Sequence, residues 1–190
     1  ITLPPTFNDN GGIFRYPNNG DQGVLGIVYT NLQLEGSGDK TLQNNTTVNG
    51  SLTLLGSANL SVGSYAMSFG ENAILVYGNA SQSIAQTTSS NEWPIVNGPP
   101  NVQIYNTNGV TLQESRNLSG TLTLTLGQFD NNGSLDDKTL TLSNNSKIVR
   151  LAGSLTTIPS FAGNVDVEYN NSSLIATGNE PLVDLMNEQD

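Results

Sequence analysis

The sequence resembles itself at an offset of about 70 residues, and this internal similarity constrains the fold more than any other feature. NLQLEGSGDKTLQ (31–43) matches NVQIYNTNGVTLQ (101–113), and VNGSLTL (48–54) matches LSGTLTL (118–124) at the same offset. The offset drifts by a few residues further along the chain. A recurring period of this length indicates structural units that stack on their neighbours.

A second recurring element is a tyrosine that follows apolar residues and precedes asparagine, in FRYPNNG, LVYGNAS and VEYNNSS. Its repetition at Tyr16, Tyr77 and Tyr169 favours a packing role over ligand binding. Near the end of the chain, VDLMN (183–187) resembles VQIYN (102–106). We therefore predict the end of one module over 1–30, a first full module over 31–100, a second over 101–181, and the start of a third copy or a tail over 182–190.

Within each module the apolar residues fall in short alternating runs. TLTLTL (121–126) places leucines on one face of an extended strand and threonines on the other, which is the period of a half-buried β-strand. Glycine, asparagine and aspartate interrupt these runs every several residues, as tight turns require. No segment of helical length has a 3.6-residue period. The sequence therefore predicts an all-β protein.

Two all-β architectures fit this pattern. In a β-solenoid, similar to a parallel β-helix, each module winds into two or three coils whose strands stack in parallel register. In an antiparallel β-sandwich, neighbouring strands pair and each module is an independent domain. We favour the solenoid, because the apolar positions are mostly leucine, valine and isoleucine and aromatic residues make up only 6% of the chain. Such side chains stack well at the strand spacing of about 4.8 Å.

Composition excludes several classes of function. The formal net charge is -10 and the six cationic residues are scattered, so no basic patch is available for nucleic acid. The chain has no cysteine and no histidine, which removes thiolate chemistry and serine–histidine catalysis. No apolar run is long enough to span a membrane. An acidic, asparagine-rich and cysteine-free chain is typical of secreted proteins, and we expect it to be a processed form or a piece of a longer array.

Several stretches together resemble the repeat modules of very large secreted surface proteins of Bacteroidetes-type bacteria, which are commonly exported with a C-terminal sorting domain. The similarity extends from Leu3 to about Asn187. It implies an extracellular, non-catalytic and solenoidal scaffold with an adhesive or structural role. The stretches that carry it are VNGSLTLLGSANLSVG, YGNASQSIAQTTSSNEWP, NTNGVTL, NLSGTLTLTLGQFDNNG, DDKTLTLSNNSKIVR, AGSLTTIPSFAGNVDVEYNNSS and TGNEP.

One turn-rich loop, DNNGSLDDK, carries clustered oxygen ligands. Asp130, Asn132 and Asp136 are spaced loosely as in a calcium-binding loop, without its bidentate glutamate. Asp130, Asp136 and Asp137 with Lys138 are also the residue types that solenoid glycosidases and lyases use. Because the first module has no acidic residues at the matching place, an ordinary turn is the favoured reading and we predict no enzymatic activity.

Trp93, in NEWP, is the single tryptophan, and together with Tyr77 it is a candidate platform for stacking on a sugar ring. The competing interpretation places Trp93 at a coil corner, where it packs before Pro94. No catalytic residue or cofactor is predicted beside this pair, and Ca²⁺ is the one ion for which the sequence offers candidate ligands.

The threonines of TLTLTL suggest a further possibility. Thr121, Thr123 and Thr125 form an outward row if the intervening leucines point inward, and flat threonine arrays order water in some ice-binding proteins.

The favoured prediction is an extracellular structural protein whose modules stack and join head-to-tail into a fibre by edge-strand pairing. Its partners are then copies of itself or neighbouring repeats. The alternative is an adhesin or glycan-binding surface module, with ice binding a weaker option.

Overall fold

A computed structural model describes residues 11–133 and 137–171 of the chain. These residues form nineteen β-strands, every recorded strand pairing is parallel, and no helix is present among them. The strands stack in eight successive windings, which makes the protein a β-solenoid. The prediction of this fold is confirmed, and the antiparallel sandwich is wrong because neighbouring strands belong to successive windings and run in the same direction.

The first face of the solenoid is a continuous ladder that contains one strand from each winding. A short additional strand, β7 (Met67–Phe69), pairs with the first residues of β5 (Thr46–Leu54). In ladder order the strands are β1 (Ile13–Tyr16), β3 (Val28–Leu34), β5 (Thr46–Leu54), β8 (Ile74–Tyr77), β10 (Asn101–Tyr105), β13 (Thr121–Leu126), β16 (Ser146–Arg150) and β19 (Val165–Tyr169).

Each strand of the second face follows a first-face strand along the chain. These second-face strands form two separate sheets. The lower sheet contains β2 (Gln22–Val24), β4 (Ser37–Leu42) and β6 (Ser57–Ser61). The upper sheet contains β9 (Gln86–Thr87), β11 (Val110–Thr111), β14 (Gln128–Asp130) and β17 (Ser154–Leu155). A third face is formed in the later windings by β12 (Arg116–Leu118), β15 (Leu140–Leu142) and β18 (Ser160–Phe161).

The core consists of side-chain columns that run along the solenoid axis through the first face. Burial of these aliphatic side chains supplies the main favourable term in folding, at about 25 cal/mol per Å² of apolar surface. Because the ladder is parallel, and the residues of the two main columns pair without a shift between them, each of these buried side chains lies over its equivalent in the winding below. One column contains Leu32, Leu52, Leu75, Val102, Leu122 and Ile148, and its neighbour contains Leu34, Leu54, Tyr77, Ile104 and Leu124.

The TLTLTL strand follows the predicted alternation over most of its length. Leu122 and Leu124 are fully buried, and the threonines between them are half-buried. The pairing between β10 and β13 shifts by one residue after Leu124, so that Tyr105 pairs with Leu126 and Thr125 is the extra residue. The sequence had predicted that Leu126 faces inward. Because of this irregularity, Leu126 is only half-buried.

The 70-residue offset corresponds to three windings of the solenoid. Strands β3 and β10, which contain Asn31 and Asn101, lie three positions apart in the first-face ladder. The recurring tyrosines Tyr16, Tyr77 and Tyr169 all belong to one column of that ladder, in which Tyr77 is fully buried and Tyr169 is exposed. The pairing of β8 with β10 continues the ladder across residue 100, where one module was predicted to end.

Asparagine side chains link successive windings at the edge of the first face. The Asn31 amide donates to the carbonyls of Gly11 and Gly12 (3.1 and 3.2 Å), and its oxygen accepts a bond from the Ser51 N–H at 3.0 Å. Asn101, the equivalent residue three windings later, donates to Ala73 O at 3.2 Å and accepts from Thr121 N–H at 2.8 Å. Each asparagine therefore joins three windings.

The corner between β13 and β14 requires glycine. Gly127 has a φ of 81°, and a Cβ built there would lie 1.7 Å from the carbonyl oxygen of Asn106 in the winding below. Any other residue would have to push the two windings apart, because that oxygen belongs to the backbone.

Among the residues that the structure describes, no helix has the length and apolar character needed to cross a membrane.

Candidate functional site

The ladder of the second face is interrupted between the third and fourth windings. Strands β5 and β8 of these two windings pair along the first face, but β6 and β9, which follow them, belong to different sheets. The fourth winding is also the longest, with 27 positions between the paired residues Ile74 and Asn101. The extra chain leaves a cleft of about 490 Å³ between β6 and β9.

Side-chain amides occupy both ends of this cleft, where a neighbouring strand would otherwise pair with β6. The Gln82 side chain accepts from Gly56 N–H and donates to Gly56 O, each at 2.9 Å, as a strand residue would. At the other end, Asn91 Nδ2 donates to Leu60 O at 2.8 Å. The Gln86 amide donates to Leu54 O at 3.1 Å and closes the corner beside them.

A buried carboxyl group lies in the wall of the cleft. Glu92, 3% exposed, accepts a hydrogen bond from the Tyr77 hydroxyl at 3.0 Å and two more from the backbone N–H and the hydroxyl of Ser89. Burial raises the pKa of Glu92, and the bonds from Ser89 partly oppose that shift. Burial and the nearby Glu92 charge raise the pKa of Tyr77 well above its usual range.

The predicted sugar platform of Trp93 and Tyr77 is wrong, because both side chains are fully buried. The Trp93 indole stacks on Phe129 with ring centroids 6.5 Å apart and an interplanar angle of 22°. Its carbonyl oxygen accepts a hydrogen bond from Arg116 Nε at 2.6 Å. The competing interpretation, in which Trp93 packs at a coil corner, agrees with these contacts. A sugar ring has no access to either aromatic face.

Arg116 is a buried cation that the sequence analysis did not single out. Its side chain is fully buried, and Nη1 donates to Glu114 Oε2 at 3.1 Å and to Ser115 O at 3.0 Å. Nη2 is buried without a hydrogen-bond partner among the described residues. Arg116 therefore ties β12 to the Trp93 corner, and its Nη2 amino group is left without a partner among the described residues.

The candidate calcium ligands are only partly described. Asp130 lies at the end of β14, where its Oδ1 accepts a bond from the Thr156 hydroxyl at 3.2 Å, and Asn132 follows in the turn. Asp136 lies outside the described residues. Within 11–133 and 137–171, no group of three or more acidic residues is arranged to hold a metal ion. The calcium site stays a prediction.

Two residues of the cluster considered for catalysis, Asp137 and Lys138, form a local ion pair. Lys138 Nζ lies 2.9 Å from Asp137 Oδ1, and both side chains are partly exposed. The backbone N–H of Lys138 donates to Asn132 O at 2.8 Å. Asp136 lies outside the described residues, so both the turn and the catalytic interpretation of this loop stay predictions.

The threonine row of β13 does not continue into the neighbouring windings. Thr123 pairs with Gln103 below and Val149 above, and Thr121 pairs with Lys147 above and donates its N–H to the Asn101 side chain below. Ice binding by a flat array needs threonines that repeat across windings as well as along a strand. The register therefore argues against that option on this face.

Lys40 is a second buried cation, with a purely structural set of contacts. Its ammonium group donates to Asn18 O, Gly20 O and Gln22 Oε1 at 2.6, 2.8 and 2.9 Å. Burial lowers the pKa of Lys40, and the charge of Asp21 partly opposes that shift. All three N–H groups are used to hold the turn between β1 and β2, so the residue offers nothing to a ligand.

The fold and the cleft together define a parallel β-solenoid whose second face contains a polar cleft bordered by strand edges. The cleft contains one buried carboxyl group and several amides and hydroxyls, but no grouping of reactive side chains that the sequence predicted. Comparisons with protein-family models, with curated proteins and with solved structures found no match to this chain.

Proposed function

We propose that this chain is a non-catalytic structural scaffold of the cell surface, one segment of a rod built from stacked windings. The observation that carries the proposal is the first-face ladder, which passes through all eight windings without a break. At a strand spacing of about 4.8 Å, seven intervals give a rod of about 34 Å. Acidic, cysteine-free composition and the absence of histidine support a structural role outside the cell.

The two ends of the ladder support assembly with further copies or with neighbouring repeats. Among the described residues, β1 and β19 each pair with a single strand. Asn170 N–H donates to Arg150 O at 2.9 Å, so the alternation along β19 directs the amide of Val167 away from β16. A strand of another copy that added to this edge would extend the ladder without any special side chain. Such a head-to-tail contact does not close and grows into a filament.

Sedimentation velocity and negative-stain electron microscopy over a concentration series test this proposal. We expect end-to-end rods that lengthen with concentration. Val167→Pro should shorten them, because proline removes an outward amide without touching the pairing with β16. Val167→Thr keeps that amide and serves as the matched control. Monodisperse particles of the size of a single chain at every concentration would exclude the filament, and absence of antibody labelling on intact source cells would exclude a surface location.

A further inference from the structure

The lower wall of the cleft is an edge of β6 whose hydrogen-bonding groups point into the cleft. Ser57 N–H donates to Gly36 O at 2.8 Å, so the odd-numbered residues of β6 face β4. The amides and carbonyls of Gly56, Ala58 and Leu60 therefore point the other way. Gln82 bonds both the amide and the carbonyl of Gly56, Asn91 bonds the carbonyl of Leu60, and Ala58 lies between these two side chains.

The upper wall is the opposing edge of β9. Gln86 N–H donates to Gly109 O at 3.1 Å and Thr88 N–H donates to Thr111 O at 2.9 Å, so both residues face β11. The amide and carbonyl of Thr87, between them, point toward β6. Two strand edges that run in the same direction thus face each other across the cleft.

We propose that this cleft binds an extended peptide strand of a partner protein, which pairs in parallel with β6 and β9 and completes the second face. Recognition by strand addition uses main-chain hydrogen bonds for affinity and side-chain pockets for specificity. The cleft volume of about 490 Å³ lies within the usual range of binding pockets, about 300–1,000 Å³. The side-chain amides of Gln82 and Asn91 fix the length of the slot at its two ends.

The lining specifies which side chains the partner strand carries. The cleft's apolar lining includes Leu54 and Leu60, and the side chain of Ala58 is buried, so inward positions take small aliphatic residues. The outward positions of the partner strand continue the column that contains Asp39 and Asn59. The Asp39 N–H donates a hydrogen bond to Asp21 Oδ1 at 2.8 Å. Asp39, which lines the cleft, and the chain's net charge of -10 favour lysine or arginine at the outward positions.

The alternation also fixes which amides face which wall. On β6 the inward residue Ala58 faces the cleft, and on β9 the outward residue Thr87 does so. An inserted strand of the same sheet therefore directs its outward residues toward β6 and its inward residues toward β9. The amide of an outward lysine is the group that reaches the Ala58 carbonyl.

An end-capped pentapeptide, Lys-Val-Lys-Val-Lys, tests the proposal with the full chain. Calorimetry and amide NMR shifts are the measurements, and we expect binding with shifts at Ala58 and Thr87. The same peptide N-methylated at its central lysine keeps every side chain and loses one main-chain donor. It should bind at least about tenfold more weakly, the effect of about 1.4 kcal/mol.

Protein variants give an independent reading. Ala58→Pro removes the amide that faces the cleft while leaving the odd-numbered residues free to pair with β4, and it should abolish binding. Thr87→Pro makes the equivalent change in the opposite wall. Equal affinity for the plain and N-methylated peptides, or shifts elsewhere than β6 and β9, would overturn the proposal. So would shifts at Ala58 and Thr87 caused by a neutral chitin hexasaccharide and not by the peptide, which would mark the cleft as a glycan site.

Discussion

At the scale of single residues, Glu92 is the group whose surroundings most affect the properties of the cleft. It is one of the few buried acidic side chains, it is held by Tyr77 and Ser89, and burial raises its pKa. A raised folded-state pKa means that the native protein binds more protons than the unfolded chain between the two pKa values. The free energy of unfolding therefore falls as the pH rises through that window, and the loss is complete above the folded-state pKa.

Glu92→Gln tests this linkage. The amide keeps an oxygen for the Tyr77 hydroxyl and the Ser89 N–H, while its NH₂ can donate to the Ser89 hydroxyl. We expect the variant to match the wild type near pH 4 and to exceed it in stability at pH 7, because only the wild type must ionise a buried group. Urea denaturation at pH 4, 5, 6 and 7 measures the difference. A difference that is constant over this range would show that Glu92 does not titrate differently in the folded state.

Glu92→Ala is the comparison that separates charge from hydrogen bonding. It removes the acceptor of both Tyr77 and Ser89, which leaves buried donors unsatisfied at a cost of about 1–3 kcal/mol.

The sequence drew attention to this segment through Trp93, its single tryptophan, and missed Glu92. A lone glutamate in a polar loop has no pattern that predicts burial, since its environment is created by the distant strands β6 and β8.

At the scale of elements, the leucine columns determine stability and the threonines contribute to the surface. Leu122 is fully buried between Val102 and Ile148, so Leu122→Ala leaves a cavity that the rigid ladder cannot close. We expect a loss of about 2–5 kcal/mol in the free energy of unfolding. Thr123→Ala, on the outward side of the same strand, should change it by no more than about 0.5 kcal/mol. Equal losses in denaturant titrations of the two variants would contradict the inward and outward assignment.

The sequence predicted these columns because a period of two is a local property that any half-buried strand must have. It could not predict the register shift that leaves Leu126 half-buried, which depends on how β13 meets β10. It also could not predict the break between β6 and β9. SLTLLGSANLSVG and QTTSS both read as ordinary strand and turn, and only the extra length of the fourth winding separates their sheets.

At the scale of the whole molecule, the 70-residue repeat is a sum of three unequal windings. Asn31, Ser51, Ile74 and Asn101 occupy equivalent positions in successive first-face strands, with spacings that range from 20 to 27 residues. Because single windings differ in length, the sequence shows no constant offset between one winding and the next. It shows the constant offset of three windings instead. The extra residues enter at corners, where the chain can lengthen without changing the ladder.

This organisation predicts that one winding can be removed if the cut is in phase. Asn101 and Thr121 lie at equivalent positions of β10 and β13, so deletion of residues 101–120 joins Pro100 to Thr121 and lets β8 pair with β13. In a stacked array, stability is close to a sum of terms for single windings and their interfaces. We expect a folded, shorter solenoid that unfolds cooperatively at a lower temperature. It loses the Asn101 bond to Ala73 and the Arg116 bond to Trp93, which adds to the cost.

Deletion of residues 101–110 is the matched control, because it removes half a winding and joins Pro100 to Thr111. Residues of the second face would then follow β8 in the position of the first face, and the inward columns would be interrupted. Circular dichroism and thermal unfolding should show a cooperative β-rich protein for the 20-residue deletion and loss of cooperative unfolding for the 10-residue deletion. If both variants unfold alike, the windings do not act as interchangeable units. The rod would then depend on contacts specific to each pair of neighbours, and a head-to-tail joint between copies would need the same specificity.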